Sequence, residues 1–162
     1  MKKNLIFSLI GLSLISGNLS AADTTVTDSI LAGQWASNCR YIAHSDPTDP
    51  AKGTHQKIYW SFTPSSRSLS AQVSIHPASD KRCKQSSLFT AKAIYQYKLE
   101  GNTVLADNKA VTRISGKIIG ENELFDKNMQ DILYLDNETL YIGEEATGYP
   151  NKVDQSLFFS RN

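Results

Sequence analysis

Apolar and polar residues alternate with a period of two through most of the chain, and no long segment places apolar residues at helical spacing. In FTAKAIYQYKL, the residues Phe89, Ala91, Ala93, Tyr95, Tyr97 and Leu99 share one face, while Thr90, Lys92, Gln96 and Lys98 share the other. SLSAQVSIH repeats the pattern, with Leu69, Ala71, Val73 and Ile75 inward and Ser70, Gln72, Ser74 and His76 outward. KIYWSF follows suit with Ile58, Trp60 and Phe62. These are strands with one dry face. Turn chemistry separates them at TPSSRS around Pro64, EGN at Glu100 to Asn102, ADN at Ala106 to Asn108, and LDNET at Leu135 to Thr139. ILYLDNETLYIG is the strongest hairpin signal, its two runs meeting at Asp136 and Asn137. Strands centred near Gln34, Trp60, Val73, Tyr95, Val104, Ile118, Tyr134, Tyr141 and Phe158 predict an all-β fold, an antiparallel up-and-down barrel of about eight strands, in which closure removes exposed edges. Two segments break the rhythm. AHSDPTDPAKGTHQ, Ala43 to Gln56, reads as a long polar loop, and ENELFDKNMQD, Glu121 to Asp131, as either a loop or a helical turn around Leu124 and Phe125.

The N-terminus changes the picture of where such a barrel works. Lys2 and Lys3 precede an apolar run from Leu5 to Ile15, and Ser20 and Ala22 supply the small residues of a cleavage site. This is the pattern of a secretory signal peptide over residues 1–22, leaving a single domain over 23–162. The apolar run falls short of the ~20 residues that span a bilayer, so no membrane span is expected. No cysteine stands at the cleavage site to accept a lipid, and a soluble periplasmic or secreted protein is the expectation. The formal charge of +1 falls to −1 once Lys2 and Lys3 are removed, a balance that suggests no nucleic-acid or membrane-surface partner. The two cysteines, Cys39 and Cys83, are expected to pair in an oxidising compartment. Loop closure over this separation contributes roughly 4 kcal/mol in the chain-entropy model.

Within LAGQWASNC, the tripeptide GQW at Gly33 to Trp35, together with the up-and-down pattern and the late arginine of LFFSRN, resembles the lipocalin or calycin barrels, in particular small lipocalin-like domains of bacterial periplasmic proteins. The resemblance implies an eight-stranded barrel with a short helical turn before the first strand, where TDSIL stands. It also implies that Trp35 packs beneath an arginine of the closing strand, Arg161, with Gly33 and Trp35 forming the barrel floor through a cation–π contact. The T-D-Y-like tripeptide of a later hairpin has no counterpart here.

The candidate chemistry is sparse. His44, His55 and His76 match no metal-ligand spacing and read as solvated residues, so no metal is expected. No serine lies in a G-x-S-x-G turn, and Glu144 and Glu145, adjacent on a strand, would point to opposite faces. The expectation is therefore a non-enzymatic protein without cofactors. If the disulfide forms, Arg40, Lys81, Arg82 and Lys84 gather as a basic patch suited to an anion or an acidic partner. Trp60, Phe62, Tyr95 and Tyr97 face inward and are the candidate ligand-binding residues of a barrel that is either hollow or solid. Two functions follow: binding of a small apolar or amphipathic ligand in the barrel, or a solid-core interaction module, such as an inhibitor or accessory subunit of an envelope complex, acting through loops and the basic patch. The sequence leaves the oligomeric state open.

Overall fold

The computed structural model describes residues 25–43, 53–120 and 122–162. The expected signal peptide and cleavage site, His44 and most of the expected polar loop lie outside them. Nine strands form one antiparallel sheet: β1 (Gly33–Ser37), β2 (Arg40–Ile42), β3 (Thr54–Thr63), β4 (Ser68–Pro77), β5 (Phe89–Val104), β6 (Ala110–Ile118), β7 (Asn128–Asp136), β8 (Thr139–Gly143) and β9 (Val153–Arg161). Because β1 pairs with both β3 and β9, the sheet closes into an eight-stranded up-and-down barrel, with β2 as one extra strand.

β2 continues the line of β1 along β3 after an interruption at Asn38 and Cys39. Asn38 bridges this gap to β9. Its backbone N–H donates to Phe158 O at 2.9 Å, its Nδ2 to Ser156 O at 2.9 Å, and its Oδ1 accepts the Phe158 N–H at 3.2 Å. A side-chain amide thus stands in for a missing rung of the ladder, so the break leaves no strand group of β9 orphaned there.

Two boundaries differ from the sequence expectation. EGN does not turn the chain. Gly101, at φ +104°, makes an irregularity in one 16-residue strand that runs through to Val104, and the register with β6 shifts between Leu99 and Gly101. A bulge adds twist without reversing direction, so the expected strand near Val104 is the far half of β5. The reversal falls at ADN, where Asn108 takes φ 63° and its N–H donates to Leu105 O at 2.9 Å. Thr54, His55 and Gln56, assigned by composition to the polar loop, open β3. The segment around Leu124 and Phe125 is a turn rather than a helix.

One end of the barrel is plugged. A short helix α1 (Asp28–Leu31) precedes β1, with the Thr27 hydroxyl accepting the Ile30 N–H at 3.3 Å as its N-cap. Leu31 is fully buried, and its carbonyl accepts Trp35 Nε1 at 2.9 Å. Arg161 lies 4.1 Å from the Trp35 ring, and its guanidinium donates to the carbonyls of Ile30 and Ala32. It therefore satisfies carbonyls that a helix end leaves orphaned while stacking on the plug. Gly33 sits beneath it at φ +102°, a backbone conformation that strains any side chain.

The histidines differ from the expectation of solvated residues. His55 and His76 face one another across β3 and β4 on the outward side of the sheet, and both are buried. The reason is the Cys39–Cys83 disulfide, which holds the connection between β4 and β5 against that side. Asp80 in this connection is buried, 3.2 Å from His76 Nδ1, and its carboxylate accepts the N–H groups of Lys84 at 3.1 Å and Gln85 at 2.8 Å. Burial alone would raise the Asp80 pKa. Backbone N–H bonds from Gln85, Lys84 and Arg82, together with His76, outweigh it and lower the value.

Replacing both cysteines by serine is expected to cost about 2–4 kcal/mol in urea unfolding and to open His55 and His76 to modification by diethylpyrocarbonate. Equal modification rates with and without the disulfide would contradict this account of their burial.

Candidate binding site at the barrel mouth

The inward faces of the strands build two unlike halves of the interior. Toward the plug, aromatic rings fill the space. Trp60 stacks on Phe159 with centroids 4.6 Å apart, and Phe62 meets Trp60 edge-on at 5.8 Å and Tyr97 edge-on at 5.3 Å. The Tyr97 hydroxyl donates to Asp28 Oδ1 at 2.8 Å, tying this core to α1, and burial with that carboxylate pushes the phenol pKa well up.

Toward the other end a cleft of about 510 Å³ opens. Its wall comes from Tyr95 on β5, Met129 and Asp131 on β7, Ile142 on β8 and Leu157 on β9. The register explains their convergence. Gly116 opposes Met129 and neighbours Tyr95, and a Cβ added to it would lie 3.0 Å from Met129 Cε and 3.3 Å from Tyr95 Cβ. Glycine here lets both side chains approach from adjacent strands. The Tyr95 hydroxyl donates to Asp126 O at 3.0 Å and so anchors the β6–β7 connection that supplies Leu124 and Phe125 to the rim. Burial, reinforced by the Asp126 charge, raises the Tyr95 pKa.

The β8–β9 connection forms the opposite rim. Pro150 packs so closely on Gly143 that a Cβ there would fall 2.2 Å from its ring, while Arg113 lies over the Tyr149 ring at 5.2 Å. Arg40 pairs with Asp154 at the seam beside β9, Nη1 to Oδ2 at 3.0 Å. Burial would raise the Asp154 pKa, but the Ser156 hydroxyl and N–H, with Arg40, carry it below the ordinary value.

Asp131 is the unusual member. It shares the inward face of β7 with Met129, Leu133 and Leu135, opposite Ile114 of β6. Its Oδ1 accepts the N–H groups of Ile132 at 2.7 Å and Gly143 at 2.9 Å. Desolvation exceeds the effect of these two bonds and pushes its pKa up to about 7. A carboxyl with its pKa near neutrality therefore lines a cleft of mixed character, in which Tyr95, Met129, Ile142 and Leu157 stand beside charged side chains, a combination that marks candidate functional sites.

Of the residues singled out by sequence, Tyr95 lines this cleft, whereas Trp60, Phe62 and Tyr97 belong to the filled aromatic half. Arg40 also lines the cleft, while Lys81, Arg82 and Lys84 are exposed on the disulfide-bonded connection. Glu144 and Glu145 lie beyond β8, in the connection to β9 rather than on a strand, and both border the mouth. Sequence reasoning missed Asp131, Met129, Leu157 and Asp154. The signal for Asp131 lay in NMQDILYLD, where a charge interrupts an otherwise apolar face. Among the described residues, no three histidines, cysteines or carboxylates are placed to share a metal ion.

A closed antiparallel up-and-down barrel of eight strands is consistent with a calycin-like fold. Comparison with family models, curated proteins and solved structures finds no match, so the functional reading rests on this geometry.

Because the folded-state pKa of Asp131 is raised, the stability it contributes is fully present below the ordinary value of 3.8 and is lost as pH rises toward about 7. The loss amounts to at most about 4 kcal/mol, and to less where water enters the cleft. Asp131→Asn keeps an oxygen for both N–H donors and abolishes the titration. Its stability relative to the unaltered protein is expected to rise between pH 4 and pH 7 and then level off. Parallel urea denaturation curves across that range check it, and a constant difference would contradict the assignment.

Proposed function

We propose that the protein is an exported, lipocalin-like binding protein, periplasmic or secreted, that holds a small apolar or amphipathic molecule in the barrel mouth without covalent chemistry. The observation that carries this reading is the cleft of about 510 Å³, within the range of ~300–1,000 Å³ usual for small-molecule sites, with Tyr95, Met129 and Leu157 as its apolar wall. The division of the interior supports it. The aromatic half supplies a rigid floor, and the half beyond it is left open between two anchored rims. Export is supported by the Cys39–Cys83 disulfide, which suits an oxidising compartment, and no helix among the described residues is long and apolar enough to cross a membrane.

Native mass spectrometry of protein purified without detergent tests this reading. The expected spectrum shows an added mass that leaves on denaturation and is absent from Met129→Trp, which fills the cleft. A ligand-free spectrum that persists after incubation with an extract of the producing cells would count against it. In that case the exposed side chains of Lys81, Arg82 and Lys84 become the working surface, and reversing their charges should release a protein partner.

A further inference from the structure

The polar chemistry of the mouth restricts which amphipathic molecule fits it, an inference that rests on the binding function proposed above. Among the described residues, five carboxylates line the cleft, Asp126, Asp131, Glu144, Glu145 and Asp154, against one cation, Arg40. Arg40 is already committed to Asp154 at 3.0 Å. An anionic headgroup would therefore meet net negative charge with no free guanidinium to receive it.

Asp131 adds a directional element that the rim carboxylates lack. Both of its hydrogen bonds from the protein fall on Oδ1, from Ile132 N–H and Gly143 N–H. Oδ2 accepts no hydrogen bond from the described residues, and Asp131 lines the same cleft as Tyr95, Met129 and Leu157. An occupant of the cleft can therefore donate to this oxygen. Gly143 fixes the orientation, since its N–H holds Oδ1 and its lack of a Cβ admits both Pro150 and the carboxyl.

We propose that the cleft selects an amphipathic primary ammonium compound, its N–H groups donating to Asp131 Oδ2 and its apolar portion packing on Tyr95, Met129 and Leu157. A primary ammonium supplies both the missing donor and the charge that balances the carboxylate, and charge-assisted hydrogen bonds of this kind are about twice as strong as neutral ones. A quaternary ammonium supplies the charge without a donor, an alcohol the donor without the charge. The titratable and charged groups that line the cleft with Asp131, among the described residues, are Tyr95 from β5, Arg40 from β2, Asp154 from β9, Asp126 from the β6–β7 connection and Glu144 and Glu145 from the β8–β9 connection. Of these, Asp154 has a lowered pKa and Tyr95 a raised one, which keeps both outside the interval near neutrality where Asp131 changes charge. The ammonium should bind the ionised carboxyl, so its affinity should rise with pH through about 7.

Calorimetric titration of the disulfide-bonded protein with octylammonium, octyltrimethylammonium, 1-octanol and octyl sulfate, at pH 5.5 and 8.5, tests this. At pH 8.5 octylammonium is expected to bind at least about tenfold more tightly than 1-octanol or the quaternary compound, and octyl sulfate most weakly. The advantage of octylammonium over octanol should shrink at pH 5.5 and disappear in Asp131→Asn, with octanol binding retained in that variant as the sign that it folds and keeps its cleft. Octanol binding without an ammonium advantage, or an advantage that survives Asp131→Asn, would overturn the selectivity while leaving the binding function standing. No binding of any probe, or binding unaffected by Met129→Trp, would overturn both.

Discussion

The architecture depends on how the first strand closes the barrel. β1 is only five residues long, yet it pairs with β3 on one side and β9 on the other, so it alone turns a sheet with two open edges into a cylinder. Three polar devices hold it there. Arg161 stacks on Trp35 and donates to the carbonyls of Ile30 and Ala32, which locks the closing strand, the first strand and α1 together. Asn38 replaces a rung of the ladder where β1 ends. The disulfide at Cys39 then ties the same seam to the β4–β5 connection. The apolar core could collapse in several registers, but these contacts are directional and fit one.

Closure also sets the contrast between the two ends. The plug brings Leu31 into the base and joins Trp35, Trp60, Phe62, Tyr97 and Phe159 in one buried cluster with stacked and edge-on ring contacts. At the other end, small residues and the rims prevent the same filling. Gly116 draws Tyr95 and Met129 to one wall, Gly143 admits Pro150 and Asp131, and the anchored connections stand around the opening. A single inward-facing carboxyl then has apolar neighbours and only partial hydrogen bonding, which brings its ionisation close to neutrality. Its chemistry follows from its position on the dry face of β7.

Much of the fold was legible because period-two patterning reports directly on a sheet with one dry face. The strands around Trp60, Val73, Tyr95 and Tyr134 and the hairpin at Asp136 and Asn137 stand where the pattern puts them. The errors have physical causes. Gly101 looks like a turn residue because positive φ suits turns, but the same conformation serves a bulge, and local sequence does not distinguish them. His76 follows the outward phase of its strand as predicted, and His55, read as a loop residue, opposes it on β3; a tethered connection covers both, which alternation cannot register.

The site was less legible than the fold. Inward-facing aromatics are equally suited to lining a cavity and to filling one, and only the ring geometry separates Tyr95 from Trp60, Phe62 and Tyr97. Arg40 adjoins Cys39 in sequence, which suggested a patch with Lys81, Arg82 and Lys84, but its side chain pairs with Asp154 of β9. The central claim is that this interior has a filled half and a working half. Methyl-resolved NMR during titration with 1-octanol tests it most directly. The account predicts shifts at Met129, Ile142 and Leu157 with Leu31, Leu69 and Leu140 unmoved. Equal shifts in both sets, or shifts confined to the second, would contradict it.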